Sequence, residues 1–151
     1  MYNIRYLEER DRRWVIDIAA RRTIIEDLKK PNLYNEDQLN GLFSLAVCGN
    51  HAFVCERNGE VVGLVAGIRH GHLFNPNVEL VSTLFWYVLP EYREGRSAYL
   101  LLKRYRKSLD DENIWCVFST QEYSSAKEET FSRFGFSKGE NIYRYGDING
   151  S

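Results

Sequence analysis

The sequence predicts a mixed α/β fold, with helices packed on a mixed sheet. Three observations carry this. Arg57-Asn58-Gly59-Glu60 separates two apolar runs, and an Asn-Gly pair in that position is the strongest short-range sign of a β-hairpin. Leu39, Leu42, Phe43 and Ala46 recur at helical spacing behind Asn35, a residue suited to cap a helix. Phe85 to Leu102 then passes from an apolar strand, through Pro90 and Gly95, straight into a second amphipathic helix. The chain has 151 residues, 44% hydrophobic and 27% charged, which is enough for one core without internal duplication, so residues 1–151 are expected to form a single domain.

In chain order, Tyr2 to Tyr6 alternates as a strand. Glu8 to Leu28 places Trp14, Ile18, Ile24 and Ile25 in an interrupted helical pattern that Pro31 closes. The helix behind Asn35 exits at Gly49-Asn50. Ala52 to Glu56 and Val61 to Ile68 make the hairpin, and His70 to Asn77 forms a loop. Val78 to Leu89 is a long strand, and a helix runs from about Gly95 to Ser108 with Ala98, Leu101, Leu102 and Tyr105 as its buried stripe. Ile114 to Ser119 reads as a short buried strand, Ser124 to Phe134 as the final helix, and Asn141 to Tyr145 as a last strand. The resulting order is β-α-α-β-β-β-α-β-α-β.

Composition narrows the function classes. A net charge of -1 argues against broad attraction to nucleic acid or an anionic membrane. No window approaches the roughly 20 apolar residues of a membrane span, so a cytoplasmic protein is expected. Cys48, Cys55 and Cys116 lie in or beside apolar runs at spacings unlike metal-ligand pairs, and three thiols suit reduced core positions better than a disulfide framework. His51, His70 and His72 are scattered, and a metal site is not expected.

The segment 85–102 carries the chemistry. The first amides of a helix lack intrahelical partners and lie at the positive end of the macrodipole, so a phosphate there meets several donors at once. Gly95 lets the backbone approach closely. Here the chain resembles the GNAT superfamily of N-acetyltransferases, whose acetyl-CoA pyrophosphate is held by a loop of pattern Gln/Arg-x-x-Gly-x-Gly/Ala. Arg93-Glu94-Gly95-Arg96-Ser97-Ala98 is one residue shorter and carries Ala98 where the last glycine would sit. That shortened form is similar to phage-type GNAT proteins, which often read Tyr-Arg-Gly-Gly-Arg. Thr130-Phe131-Ser132-Arg133-Phe134-Gly135-Phe136 independently resembles the Leu-Tyr-x-Lys-x-Gly-Phe ending of the family's last helix. The element order is also that of the family.

By that resemblance, acetyl-CoA inserts between two strands that splay apart, here Val78 to Val88 and Ile114 to Ser119. Backbone groups near Trp86, Tyr87 and Val88 would pair with the pantetheine arm as a surrogate strand, while the Trp86 and Tyr87 rings serve as core. Arg93, Glu94, Gly95, Arg96, Ser97 and Ala98 would hold the pyrophosphate. The two arginines face either phosphate oxygens or a carboxylate such as Glu91 or Glu94. Lys103, Arg104, Arg106 and Lys107 reach toward the ribose phosphate or simply complement the helix C-terminus.

Acetyl transfer to an amine needs a neutral amine, an oriented carbonyl and a proton for the leaving thiolate. Many GNAT enzymes take that proton from a tyrosine where this chain has Phe131, and phenylalanine cannot donate one. Tyr123 and Ser124, with Ser125 and Tyr143 beside them, are the replacement candidates. Ser124 also falls where the family often has a pantetheine-binding asparagine, and it reads equally as a helix N-cap. Glu79, on the long strand, is the carboxylate the resemblance offers as base, with His51, His70 and His72 as alternatives. Lys29 to Tyr34 would shape acceptor choice, and Glu26, Asp27, Glu36 and Asp37 read as a solvated face.

The implied activity is acetyl-CoA-dependent N-acetyl transfer to a small-molecule or protein amine, with acetyl-CoA as co-substrate, a homodimer allowed through exposed aromatics such as Tyr145, and no nucleic-acid or membrane partner. The alternative is a GNAT-like module that binds CoA without turnover.

Overall fold

Five strands lie side by side in sequence order: β1 (Tyr2–Tyr6), β2 (Ala52–Arg57), β3 (Glu60–Gly71), β4 (Glu79–Val88) and β5 (Trp115–Val117). The first four are antiparallel, and β5 joins β4 in parallel. The computed structural model describes residues 1–118, 128–139 and 145–146. Residues 141–144 of the expected strand and 124–127 of the helix expected at Ser124 therefore lie outside the described residues, and Tyr145 belongs to no strand.

The hairpin forms where Asn58-Gly59 places it. Both residues take positive φ, 53° and 81°, and Arg57 pairs with Glu60 across the turn. β3 continues three residues past the expected Ile68, because the chain reverses only at residues 72–78, where His72 N donates to Val78 O at 2.8 Å.

Four helices are described. α1 opens with an α turn at Arg12–Trp14 and widens into two i→i+5 runs, Val15–Ala20 and Arg22–Asp27. The interrupted apolar spacing read from the sequence corresponds to this wider winding. α2 (Glu36–Gly49) is capped by Asn35, whose side chain accepts from Gln38 N at 2.9 Å, and it ends at left-handed Asn50. α3 (Ser97–Glu112) outruns its expected end at Ser108 by a turn, since Leu109 extends the buried stripe and left-handed Asn113 supplies the stop. α4 (Glu128–Arg133) is followed by Gly135 at φ 84°.

The sheet has helices on both faces. α1 and α2 cover one with Val15, Ala19, Phe43 and Ala46 against Leu64, Ala66 and Tyr87. α3 and α4 cover the other with Leu101, Leu102, Tyr105 and Phe134 against Phe53, Val65, Val81 and Val88. Arg5 locks the first corner. Its guanidinium grips both oxygens of buried Asp11, at 2.8 and 2.9 Å, and pairs with Glu56, while Glu8 N donates to Asp11 at 2.9 Å. Those two carboxylates hold the Arg5 guanidinium above its usual range, with the Asp11 hydrogen bond as the larger cause.

One irregularity positions the site. β4 pairs Phe85 with Ala66 but Thr83 with Gly67, so Leu84 is an extra residue, a β-bulge. Opposed residues share a face. Val81 and Thr83 therefore point to α3, and beyond the bulge Trp86 and Val88 do so, whereas Leu84 and Phe85 together line the apolar recess beneath α1 and α2.

Candidate functional site

The described ladder between β4 and β5 ends just before the bulge. Their parallel ladder holds for three rungs, Leu80 with Trp115, Val81 with Cys116 and Ser82 with Val117, and Ser82 stands one residue before Thr83-Leu84. From there onward β4 stays paired to β3, and its other edge meets no strand among the described residues. Beneath the end of the ladder, buried Tyr105 sends its hydroxyl to Thr83 Oγ1 at 2.7 Å and to Cys116 Sγ at 3.6 Å. Burial pushes the Tyr105 and Cys116 acid groups up, so both keep their protons. Gly67 makes room for this hydroxyl, because a Cβ there would collide with it and stand 2.5 Å from Val81.

At the far end of the open edge lies the start of α3. Pro90–Tyr92 forms a single 3-10 turn, Gly95 N returns to Tyr92 O at 3.2 Å, and Leu100 N closes the first helical bond to Arg96 O at 2.9 Å. No side chain caps the helix. The Ser97 hydroxyl, which might have turned inward, instead donates to Tyr92 O at 3.4 Å. Among the described residues the amides of Glu94, Arg96, Ser97, Ala98 and Tyr99 donate to no protein group. Among the described residues, the unpaired edge of β4 beyond Ser82 thus runs toward a row of amides with no protein acceptor.

No family model and no curated protein matches the chain. Solved structures do. A "predicted acetyltransferase" of Clostridium acetobutylicum, determined with acetyl-CoA, superposes with a TM-score of 0.74 at 17% identity over 97% of this chain and 96% of that one. A GCN5-related N-acetyltransferase of Ralstonia eutropha JMP134 gives 0.72 at 18% identity, covering 96% and 98%. AAC(6')-Iy, in complex with a CoA bisubstrate analogue, gives 0.69 at 15% identity, covering 97% and 98%. The chain has the GNAT fold.

Within the GNAT fold the expected loop residues take distinct places. Arg93 bends back over the end of β4, its Nε donating to Val88 O at 2.8 Å and its guanidinium lying 5.4 Å from the Tyr87 ring centroid. The Val88 carbonyl, expected among the pantetheine partners, therefore already has a donor, because the 3-10 turn returns Arg93 to the strand it has just left. Arg96 lies over Tyr99 at 5.6 Å and is exposed. Among the described residues neither arginine meets a carboxylate. Gly95 keeps a negative φ; its bareness accommodates the Tyr2 hydroxyl, 2.5 Å from where a Cβ would stand.

Trp86 packs toward α3, donating Nε1–H to Ala98 O at 3.3 Å, and Tyr87 is buried on the opposite face. Further along α3, Arg106 and Lys107 pair with Asp110 and Asp111 at 3.3 and 3.0 Å, one turn on, and Arg104 reaches Tyr6. Glu36, at the start of α2, meets Arg13 at 3.2 Å, an exposed pair.

The proton-transfer candidates separate. Phe131 belongs to an aromatic cluster, edge-on to Trp86 (5.5 Å), Phe118 (4.9 Å) and Phe136 (6.1 Å). Tyr123 and Ser124 lie outside the described residues. Glu79 shares the α3 face with Val81 and accepts from Arg69 Nε at 3.3 Å; Arg69 also reaches Glu112 at 2.8 Å, and Glu112 meets buried His51 at 2.5 Å. That carboxylate is one end of a Glu79–Arg69–Glu112–His51–Ser108 chain. His70 is on the other face, its Nε2 2.6 Å from Ser82 Oγ. The Tyr2 support and the His70–Ser82 pair escaped the sequence reading, since both join residues distant in the chain; only the hairpin register, Ile68 with Ser82, reveals the second.

Proposed function

We propose that this protein binds acetyl-CoA in the gap between β4 and β5 and transfers the acetyl group to a primary amine by direct attack. The observation that carries this is the β4 edge, unpaired among the described residues beyond Ser82, that leads to the uncapped start of α3. An extended pantetheine arm satisfies the open edge of β4 as a further strand would, and the pyrophosphate takes the amides of Glu94 and of Arg96 to Tyr99, with the Arg96 guanidinium beside it. Arg93 acts by fixing the end of β4. Acetyl-CoA in the Clostridium acetobutylicum structure and the CoA analogue on AAC(6')-Iy support the choice of co-substrate.

A small-molecule amine is the favoured acceptor class, because the similar structures include aminoglycoside acetyltransferases. Direct attack is favoured because acyl transfer to the chain itself would need a nucleophile at the gap, and Cys116, the thiol nearest it, is held protonated by burial. Phe131 at the position where the resemblance places an acid supports a second reading, a CoA-binding module without efficient turnover. Calorimetric titration with acetyl-CoA, followed by thiol release across a panel of amines, separates the two. Binding with release supports transfer, binding without release supports the module, and no binding removes both.

A further inference from the structure

We propose that the proton released by the acceptor amine passes through Ser82 to His70, an inference that rests on the acetyl-transfer reading above. Ser82 stands on the last described rung of the β4–β5 ladder, opposite Val117 and one residue before Thr83-Leu84, beside the edge along which the reading above seats the thioester. The His70 ring is oriented by two partners. Its Nδ1 lies 3.0 Å from Gly71 O, and a carbonyl only accepts, so Nδ1 carries the proton. In the neutral ring Nε2 is then the bare nitrogen, and Ser82 Oγ, 2.6 Å away, donates to it. The pair has the polarity a proton acceptor needs: the Ser82 hydroxyl donates to His70 Nε2, which leaves the Ser82 oxygen lone pairs to accept.

The face on which the pair stands is open only at its β5 side: Ile68, Leu80, Trp115 and Val117 share it by register, with Leu80 buried and Trp115 57% exposed. The charged neighbours are elsewhere. Arg69 and Glu79 point to the α3 face, where they meet Glu112 of α3, and His72 is stacked on Trp115 at 5.7 Å with an interplanar angle of 11°. Among the described residues His70 thus makes no ion pair. Glu79, which the Arg69 guanidinium engages, faces away from Ser82.

The step balances as follows. An incoming ammonium gives one proton to Ser82 Oγ as the Ser82 proton moves to His70 Nε2, leaving a neutral amine. The nitrogen lone pair forms the C–N bond at the thioester carbon, and collapse of the tetrahedral adduct breaks the C–S bond. The second nitrogen proton goes to the departing thiolate, and the imidazolium returns its proton to water. Net, ammonium and acetyl-CoA give amide, free thiol and one proton.

The test compares wild type, His70→Gln, Ser82→Ala and His72→Gln by acetyl-CoA titration and by thiol release against pH with one amine that the wild type acetylates. We expect His70→Gln to bind acetyl-CoA within twofold of wild type, to lose about 100-fold in kcat/KM, and to lose the acidic limb of the pH profile. Ser82→Ala, which cuts the path to His70, should lower the rate and lose that limb as His70→Gln does, and His72→Gln should keep both rate and limb. A His70→Gln enzyme within threefold of wild type with its acidic limb intact overturns the relay while leaving acetyl transfer standing. A wild type that fails to bind acetyl-CoA, or binds it and releases no thiol with any amine, overturns the relay together with the reading beneath it.

Discussion

The hydroxyl of Tyr2, at the first position of the sheet, presses on the backbone of Gly95, so closely that a Cβ at residue 95 would stand 2.5 Å from it and 3.4 Å from Tyr92 O. The same hydroxyl accepts from Arg57 at 3.3 Å, and the Arg57 guanidinium lies over both the Tyr2 and Tyr92 rings, at 5.3 and 5.8 Å. The loop that opens α3 is thus shaped from below by β1 and β2. Gly95→Ala should cost about 1–3 kcal/mol of stability through overpacking and displace the loop amides. Tyr2→Phe removes the offending oxygen. The double variant Tyr2→Phe/Gly95→Ala is therefore expected to recover most of the stability and the acetyl-CoA affinity lost in Gly95→Ala, measured by denaturant midpoint and calorimetry. An equal loss in both would place the requirement for glycine on the ligand side of the loop.

Arg5 and Asp11 give a second test. Asp11 is 3% exposed, and its two oxygens are occupied by Arg5 and by Glu8 N, so the pair is satisfied as it stands. Arg5→Met leaves a buried carboxylate facing no cation and should destabilise by roughly 3–5 kcal/mol, read as a lower urea midpoint at unchanged m-value. Arg5→Met/Asp11→Leu should regain part of that loss. A single variant within 1 kcal/mol of wild type would show that solvent reaches Asp11.

These contacts mark what the sequence could reveal. The hairpin, the α2 cap and the buried stripe of α3 were legible because local chemistry decides each one: Asn58-Gly59 for φ, Asn35 for the first amides, and Leu101, Leu102 and Tyr105 for helical spacing. The uncapped start of α3 was legible for the same reason. For α1 the sequence showed only an interrupted spacing, and the i→i+5 winding behind it appears in the structure alone. The end of α3 was missed because Asn113 stops a helix as well as a glycine does. The bulge at Leu84 left no mark either. Val78 to Leu89 reads as one continuous strand, and only pairing with β3 shows that Leu84 and Phe85 fall on the same side.

Thiol chemistry checks the core. Cys55 is fully buried at the centre of the α3 face, and burial pushes its thiol up to about 11, whereas Cys48 is exposed on α2. Native protein should therefore show one rapidly reacting thiol at pH 8, abolished by Cys48→Ser, with Cys55 reacting only on unfolding. The pH dependence has a defined sign. The folded thiol holds its proton above its ordinary value of about 9 while the unfolded chain releases it, so this group favours unfolding progressively from about pH 9 to pH 11 and contributes nothing below. Cys55→Ala should flatten stability in that window. An unchanged slope would assign the alkaline loss to other groups.

Phe131 offers a test of the acetyl-transfer reading against the binding-module one. Its ring lies edge-on to Trp86, Phe118 and Phe136, and edge-to-face pairs are worth about 0.5–1.5 kcal/mol each, so Phe131→Ala should destabilise by roughly 2–3 kcal/mol even though the ring is only half-buried. Phe131→Tyr keeps those contacts and adds one hydroxyl at the position where the resemblance places the acid. If the thiolate leaves without an adequate proton donor, that hydroxyl should raise kcat severalfold at unchanged acetyl-CoA affinity, and the rise should be greatest for the least reactive amines, where expulsion of the thiolate governs the rate. The expected outcome is that increase, with thermal stability held within about 1 kcal/mol of wild type. Unchanged kcat with retained binding would show that the proton already arrives from the attacking nitrogen or from water, and that Phe131 serves the aromatic cluster alone.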